Sequence, residues 1–147
     1  MAIMSKFSMM CDEVRIENNG KFMILGLYTP DIGTAQLPFV LPVLTFLFWL
    51  EGKMPGSYQF AAKITHLESG TLVSQAMGAF GLAKPGQGLA PIRFVGVQFS
   101  QAGAYTLSLQ IQNEPEILHQ FSILLFAPVM PGMAGMPGMP GIPNRGG

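Results

Sequence analysis

The side chains best suited to chemistry in this chain are two histidines and one cysteine. His66 and His119 have no second histidine, cysteine or carboxylate at the spacing of a metal site. Each lies within or at the end of a predicted strand, so we predict sheet-surface histidines without a catalytic role. Cys11 precedes Asp12 and Glu13, and a nucleophilic Cys–His pair would require a tertiary contact. We predict a buried, unreactive thiol.

Paired carboxylates and one glycine-rich segment are the remaining candidates for chemistry. Asp12 and Glu13 are neighbours on a predicted strand, so their side chains point to opposite faces and cannot easily cooperate. Glu114 and Glu116 flank a proline in a predicted turn, where we expect both to be solvated. The segment GLAKPGQG (81–88) lacks the Gly-Lys-Ser/Thr order of a phosphate-binding loop. We therefore predict no catalytic, cofactor or metal site, and a protein that is not an enzyme.

The composition indicates a protein whose surface is covered by other proteins. Apolar residues make up 49% of the chain and charged residues 11%, with eight basic and eight acidic side chains, whereas soluble domains carry about 25% charged residues. No basic patch is present, so we expect no nucleic-acid partner. Because an uncharged monomer would be poorly soluble, we expect a homo-oligomer, with a trimer as the form considered, bound to a larger scaffold.

We expect neither a signal peptide nor a membrane helix from the sequence. The first fourteen residues have no long apolar run behind Lys6, so no signal peptide is expected. A single cysteine excludes an intrachain disulfide and fits a reducing compartment. Residues 32–50 are uncharged, but Gly33, Pro38 and Pro42 interrupt them, so we expect no membrane helix.

The dominant period of the sequence is two, which predicts β-strands. Residues 58–64 and 105–111 alternate between apolar and polar side chains, whereas 21–28 and 39–50 are apolar on both faces. The latter predict strands with one face on the core and the other covered by something else. Pro42 lacks an amide donor, so its strand should lie at an edge or be bulged there. The predicted strands are 6–17, 21–28, 39–50, 57–67, 71–80, 92–99, 104–112 and 117–126.

Turn signals between these runs favour an all-β fold. Asn19-Gly20 predicts a hairpin between the first two strands. About eight short strands separated by turns every eight to twelve residues predict an antiparallel β-sandwich or jelly roll over residues 1–127, with a closed barrel as the alternative. The irregular segments 29–38 and 81–91 are predicted loops, either crossovers or binding loops. Trp49, the only tryptophan, lies in an apolar run and is predicted to be a core residue.

Two stretches resemble a known family. CDEVRIENNGKFMILGLY (11–28) resembles the opening of an uncharacterised family of small proteins from bacteria and their phages, and VQFSQAGAYTLSLQI (97–111) is similar to strand pairs of that family. The resemblance implies a β-sandwich fold. It implies no activity, since the family has none assigned.

Residues 128–147 form a predicted arm rich in Pro, Gly and Met. Glycine recurs at every third position from 132 to 141, as in collagen, and proline favours an extended polyproline II ribbon. Four large apolar side chains then fall on one edge of this ribbon and are predicted to bind a partner: Met133, Met136, Met139 and Ile142. A disordered low-complexity tail is the alternative.

The sequence favours a non-enzymatic structural subunit of a larger assembly. Low charge, two-sided apolar strands and an apolar arm indicate protein–protein contacts. With the phage resemblance, the specific hypothesis is a virion component, a capsid decoration (cement) protein assembled in the bacterial cytoplasm. The alternative is a cytoplasmic ligand- or peptide-binding β-sandwich that uses segments 29–38 and 81–91.

Overall fold

The computed structural model describes residues 3–28, 30–52, 55–82 and 87–126, and within them all regular structure is β-strand. No helix long and apolar enough to cross a membrane occurs in these ranges. The strands in chain order are β1 (Met4–Ile16), β2 (Phe22–Tyr28), β3 (Ile32–Thr34), β4 (Phe39–Glu51), β5 (Gly56–His66), β6 (Leu72–Leu82), β7 (Gln87–Phe99), β8 (Gly103–Ile111) and β9 (Ile117–Leu125).

The strands form two sheets that pack face to face. The four-stranded sheet has the order β2-β1-β4-β7, and the five-stranded sheet has the order β3-β9-β8-β5-β6. Six of the seven strand pairs between the described strands are antiparallel, and β3 runs parallel to β9. The predicted β-sandwich is confirmed, because two separately bonded sheets exclude the closed barrel.

The β1–β2 hairpin illustrates how local sequence sets the strand ends. Residues 17–21 connect the two strands, and the N–H of Gly20 donates to the carbonyl of Glu17 at 2.9 Å. Gly20 has φ +85°, which is unfavourable for residues with a Cβ. The hairpin predicted at Asn19-Gly20 is therefore present, and all eight predicted strands are found.

The core lies between the inner faces of the two sheets. It contains interlocking aromatic rings: Phe46 packs edge-on against Phe94 at 5.8 Å, and Phe99 does the same against Tyr105 at 5.1 Å. Phe121 stacks on Tyr105 at 5.6 Å and so joins these contacts across β8 and β9. Burying such side chains is the main source of stability in a sandwich without disulfides.

The structure corrects both predicted loops. Segment 29–38 contains β3, a strand too short for period-two analysis. In segment 81–91, β6 extends to Leu82 and β7 begins at Gln87, so most of the predicted loop is strand. Glycines had indicated a loop there, but Gly88 fits a close backbone approach, since a Cβ at this position would lie 3.3 Å from the carbonyl oxygen of Gly81.

Pro42 lies in an interior strand, in a part of that strand that is paired on one side only. β4 lies between β1 and β7, in contrast with the predicted edge position. However, β1 pairs with β4 only from Thr45 onward, so the half of β4 that holds Pro42 has β7 alone as its partner. The missing amide donor of Pro42 is tolerated on this side.

Residues 127–147 lie outside the described residues. The predicted arm boundary at 128 and its four predicted contact residues, Met133, Met136, Met139 and Ile142, therefore remain predictions.

Candidate functional site

The outward surface of the four-stranded sheet is apolar. Residues that are paired across strands share a face. The observed pairings therefore place apolar side chains of all four strands on this surface. We call this surface the outer apolar face and define it by Phe7, Met9, Met23, Leu25, Leu27, Val43, Leu47, Trp49, Leu89, Pro91 and Val95.

An aromatic pair lies on this face. The rings of Phe7 and Trp49 are stacked with centroids 5.9 Å apart. Phe7 is 46% exposed and Trp49 is half-buried, whereas Leu47, two residues away on the same face, is fully covered by its neighbours. The prediction that Trp49 is a core residue is wrong, because the period-two alternation of β4 turns it outward.

Charged groups lie around this apolar surface. Lys6 pairs with Glu51 at 3.8 Å where β1 meets the end of β4, and Arg15 pairs with Glu13 at 3.5 Å in the other half of β1. These side chains are partly exposed, so solvent screens the pairs and they contribute little to stability. Arg93 of β7 is exposed on the same face, opposite Thr45. The part of the face without charge lies between Arg93 and the Lys6–Glu51 pair and holds Phe7 and Trp49, and charge is likewise depleted in the cores of protein–protein interfaces.

The outward surface of the five-stranded sheet has the opposite character. Its strand-paired side chains are mostly polar, and they include Gln59, Lys63, Thr65, Gln75, Ser108, Gln110, Gln120 and Ser122. The solvent-facing side of an antiparallel sheet in a sandwich is usually polar. The four-stranded sheet therefore departs from the usual pattern, while the five-stranded sheet follows it.

His66 has a structural role. It is 2% exposed and points inward, so the predicted surface position is wrong. Its Nε2 atom donates to the carbonyl of Ala102 at 3.0 Å, and its Nδ1 atom accepts the backbone N–H of Ser69 at 3.3 Å. These bonds tie the β5–β6 turn to the β7–β8 connection, and both ring nitrogens are used.

His119 also points inward, against the prediction of a surface position. Its Nδ1 atom lies 2.6 Å from the hydroxyl oxygen of Ser8, across the space between the sheets. Its Nε2 atom is enclosed without a hydrogen-bond partner. Burial lowers the pKa of His119. A Ser–His pair acts as a nucleophile when a third group orients the imidazole, and no such group contacts Nε2 here.

Asp12 and Glu13, the two acids that follow Cys11, point to opposite faces of the sheet. Cys11 is fully buried, as predicted, and burial, followed by the charge of Asp12, raises the pKa of its thiol. Asp12 accepts the hydroxyl of Tyr28 at 2.8 Å, whereas Glu13 pairs with Arg15 on the opposite face. The two carboxylates do not cooperate, in agreement with the alternation of strand residues. Burial and the Asp12 contact raise the pKa of Tyr28 strongly.

Three surface depressions occur among the described residues. Three depressions, of about 150, 240 and 430 Å³, are lined by residues outside 29–38 and 81–91. The largest lies beside Asp12 and Tyr28 on the β1–β2 hairpin. In the described part of the chain, no three His, Cys, Asp or Glu residues are grouped as metal ligands.

Sequence reasoning located half of the outer apolar face. The two-sided apolar runs at 21–28 and 39–50 predicted a second covered face for β2 and β4. Phe7 and Val95 were missed as members of this face, because assigning them to it requires the pairing of β1 and β7 with β4.

Comparisons with known proteins were made on sequence and on structure. Residues 6–124 match a family described as a family of unknown function, DUF6941. None of the curated proteins matches the chain. A β-glucosidase from Listeria innocua in complex with glucose is similar at a TM-score of 0.41 and 7% identity, over 67% of this chain and 15% of that one. A CARDB domain from Pyrococcus furiosus in complex with di-metal ions gives 0.40 and 11%, over 82% and 94%. Neither similarity carries information on function.

Proposed function

The chain belongs to DUF6941, a family of unknown function, and we propose that it is a non-enzymatic structural subunit that binds another protein through its outer apolar face. The observation that carries the proposal is the contrast between the two outer surfaces. One sheet presents Phe7, Trp49 and Val95 to solvent, whereas the other presents mainly glutamine, serine and threonine, with Met77 and Leu118 among them. An extended apolar patch is favourable only if a partner covers it.

The size of the face suits a stable protein interface. β1, β4 and β7 have 13 residues each. At about 3.3 Å per residue and about 4.8 Å between strands, the three strands and the shorter β2 cover roughly 700 Å². A standard interface buries about 800 Å² on each partner. The face is therefore large enough for a protein partner and much larger than a small-molecule site requires.

The chemistry of the face specifies the partner surface. Aromatic and methionine side chains, such as Phe7, Met9 and Trp49 toward one end of the face, are enriched in interface cores, where charged residues are rare. The matching surface is a flat, mainly apolar face of another protein subunit, which would stack about 10 Å away as a third layer. The ion pairs around the face would remain at the wetter rim.

The finer form of the proposal is a phage virion component, a capsid decoration (cement) protein assembled in the bacterial cytoplasm. It is supported by the resemblance of residues 11–28 and 97–111 to small proteins of bacteria and their phages, and by the low charge of the chain. In this form the arm also docks on neighbouring subunits, through the apolar side chains Met133, Met136, Met139 and Ile142.

A pair of charge variants tests the proposed face. In Phe7→Lys/Val95→Lys, two exposed apolar side chains become charged, and the full chain should lose the binding to other subunits that is made through the outer apolar face. The matched control is Gln59→Lys/Gln120→Lys on the polar outer surface of the other sheet. Association is measured by light scattering over a dilution series and by binding to particles from the native source. Thermal unfolding followed by circular dichroism should be nearly equal in both variants.

Two results would contradict the proposal. The first is a wild-type chain that stays monomeric at high concentration and binds no protein from its native source. The second is equal association of the face variant and the control, because the outer apolar face would then have no role in binding.

A further inference from the structure

The edges of the two sheets differ in their protection against pairing with another strand. The five-stranded sheet ends on β3, with three residues, and on β6, with eleven. The four-stranded sheet ends on β2, with seven residues, and on β7, which carries Pro91 and Arg93. Short length, proline and charge are devices that keep edge strands from pairing. β6 has eleven residues, and its sequence LVSQAMGAFGL contains no proline and no charged residue; its pairing with β5 is irregular only at Val73, near its first residue.

The unpaired part of this edge is residues 72–79. β6 pairs along its whole length with β5, and β5 is its only bonded neighbour among the described strands. Close to Leu82 the outer side is approached by β7, where Gly88 lies against the carbonyl of Gly81. Residues 72–79 lie before this contact and have no bonded strand on this side among the described residues, and at their start Leu72 and Val73 line a depression with Gln98 of β7. In the described part of the chain, their outward N–H and C=O groups can pair with a further strand. Met77 in this segment is 81% exposed.

We propose that β6 pairs antiparallel with β6 of a second copy of this chain, across a two-fold axis close to Ala76. Gln75 of each copy then faces Met77 of the other on the outer surface, and the two five-stranded sheets join into one continuous sheet. The two-fold contact is isologous, so it closes after two chains. It gives a dimer, in contrast with the trimer considered from the sequence.

Charge favours a second copy as the occupant of this edge. Antiparallel self-pairing places the residues of one strand against those of an identical strand, and like charges opposite one another are destabilising. β6 has no charged residue, so no register of self-pairing brings like charges together. The chain as a whole has a net charge of zero, so two copies approach without net repulsion. A β7–β7 pair would instead bury Pro91, which has no amide donor, in the new sheet.

The contact is independent of the proposed function. The edge of β6 belongs to the five-stranded sheet, and the outer apolar face belongs to the four-stranded sheet. A chain that carries Phe7→Lys/Val95→Lys should therefore still form the β6-paired dimer. This variant also provides the background in which edge pairing is measured without association through the face.

Complementary charge variants test the pairing. In the face-variant background, Gln75→Lys/Met77→Lys places lysines opposite lysines across the axis, and Gln75→Glu/Met77→Glu does the same with glutamates. The dissociation constant of each dimer should rise at least about tenfold. An equimolar mixture should recover a dimer of one chain of each kind. The masses are measured by size-exclusion chromatography with light scattering, and the mixed dimer is identified by native mass spectrometry.

The control keeps the added charge and moves it away from the edge. Leu118→Lys/Gln120→Lys places two lysines on exposed positions of β9, on the outer surface of the same sheet, and should leave the dimer intact. The proposal is overturned if the face-variant chain is a monomer or a trimer, if the edge variants keep the parent mass, or if the mixture does not recover a dimer. Thermal unfolding by circular dichroism shows that each variant is folded.

Discussion

At the scale of single residues, the protonation state of His119 affects the stability of the sandwich. Its ring packs against Phe46 at 5.5 Å, Ser8 contacts Nδ1, and Nε2 has no hydrogen-bond partner. Protonation of the ring would bury a charge that lacks a counter-ion. The enclosed position between the sheets explains why the pKa of this histidine is lowered by burial.

We expect the free energy of unfolding to fall as the pH falls from 7.5 to 5.5. The pKa of His119 is lowered in the folded state, so the unfolded state binds the proton first, below its ordinary pKa of about 6.5. Stability is full above that pH and decreases below it, by at most about 1.4 kcal/mol per pH unit for one proton. His119→Phe should flatten the dependence in urea titrations. Gln120→Ala, at the exposed neighbouring position, is the control. Equal slopes of the free energy of unfolding against pH in His119→Phe and Gln120→Ala would contradict this account.

At the scale of the strand, two glycines with the same backbone conformation have different surroundings. Gly26 in β2 has φ +67° and Gly96 in β7 has φ +65°. A Cβ at Gly26 would overlap the carboxyl group of Asp12 on the paired strand, whereas a Cβ at Gly96 would meet nothing within 4 Å. The first glycine is required by φ, and a Cβ there would also displace the carboxyl end of the Asp12 side chain, whereas the second is required by φ alone.

We expect Gly96→Ala to destabilise the protein by about 1 kcal/mol and Gly26→Ala by about 2 kcal/mol or more. Both changes incur the cost of a positive φ, and only Gly26→Ala adds the steric conflict with Asp12. Urea unfolding of both variants measures the difference. Adding Asp12→Ala should recover part of the loss in Gly26→Ala. If the two glycine variants were equally stable, the steric conflict expected between a Cβ at Gly26 and Asp12 would be contradicted.

At the scale of the whole molecule, the predicted arm should act on assembly and leave the fold unaffected. The core lies within β1 to β9, and residues 131–147 follow the last strand. Full burial of a Met or Ile side chain contributes about 1.5–3 kcal/mol, so four docked side chains would strengthen an assembly substantially, after the cost of ordering the chain.

Deletion of residues 131–147 should leave thermal unfolding of the domain nearly unchanged and weaken binding to the assembly at least about tenfold. Serine at all four contact positions should have the same effect, because a polyproline II segment has no hydrogen-bond ladder of its own to lose. Calorimetry and binding to the particle or oligomer measure the two effects separately. Equal binding by the full and truncated chains would show that the arm is an inert tail.

Period-two alternation was sufficient to predict eight of the nine strands and the sandwich, because strand side chains alternate between faces at every residue. The same local signal predicted that β2 and β4 have a second covered face. It did not identify β3, which is three residues long, or the first five residues of β7, where glycine and proline are typical of a loop.

Tertiary structure alone decided which face each residue occupies. Trp49 and Leu50 are adjacent in one apolar run, yet Trp49 lies on the outer apolar face and Leu50 in the core. His66 and His119 lie in strands with clear alternation, but the direction in which they point depends on which side of the five-stranded sheet receives the other sheet. Alternation defines two faces for every strand, and only the pairing and stacking of strands distant in sequence determine which of the two becomes the core.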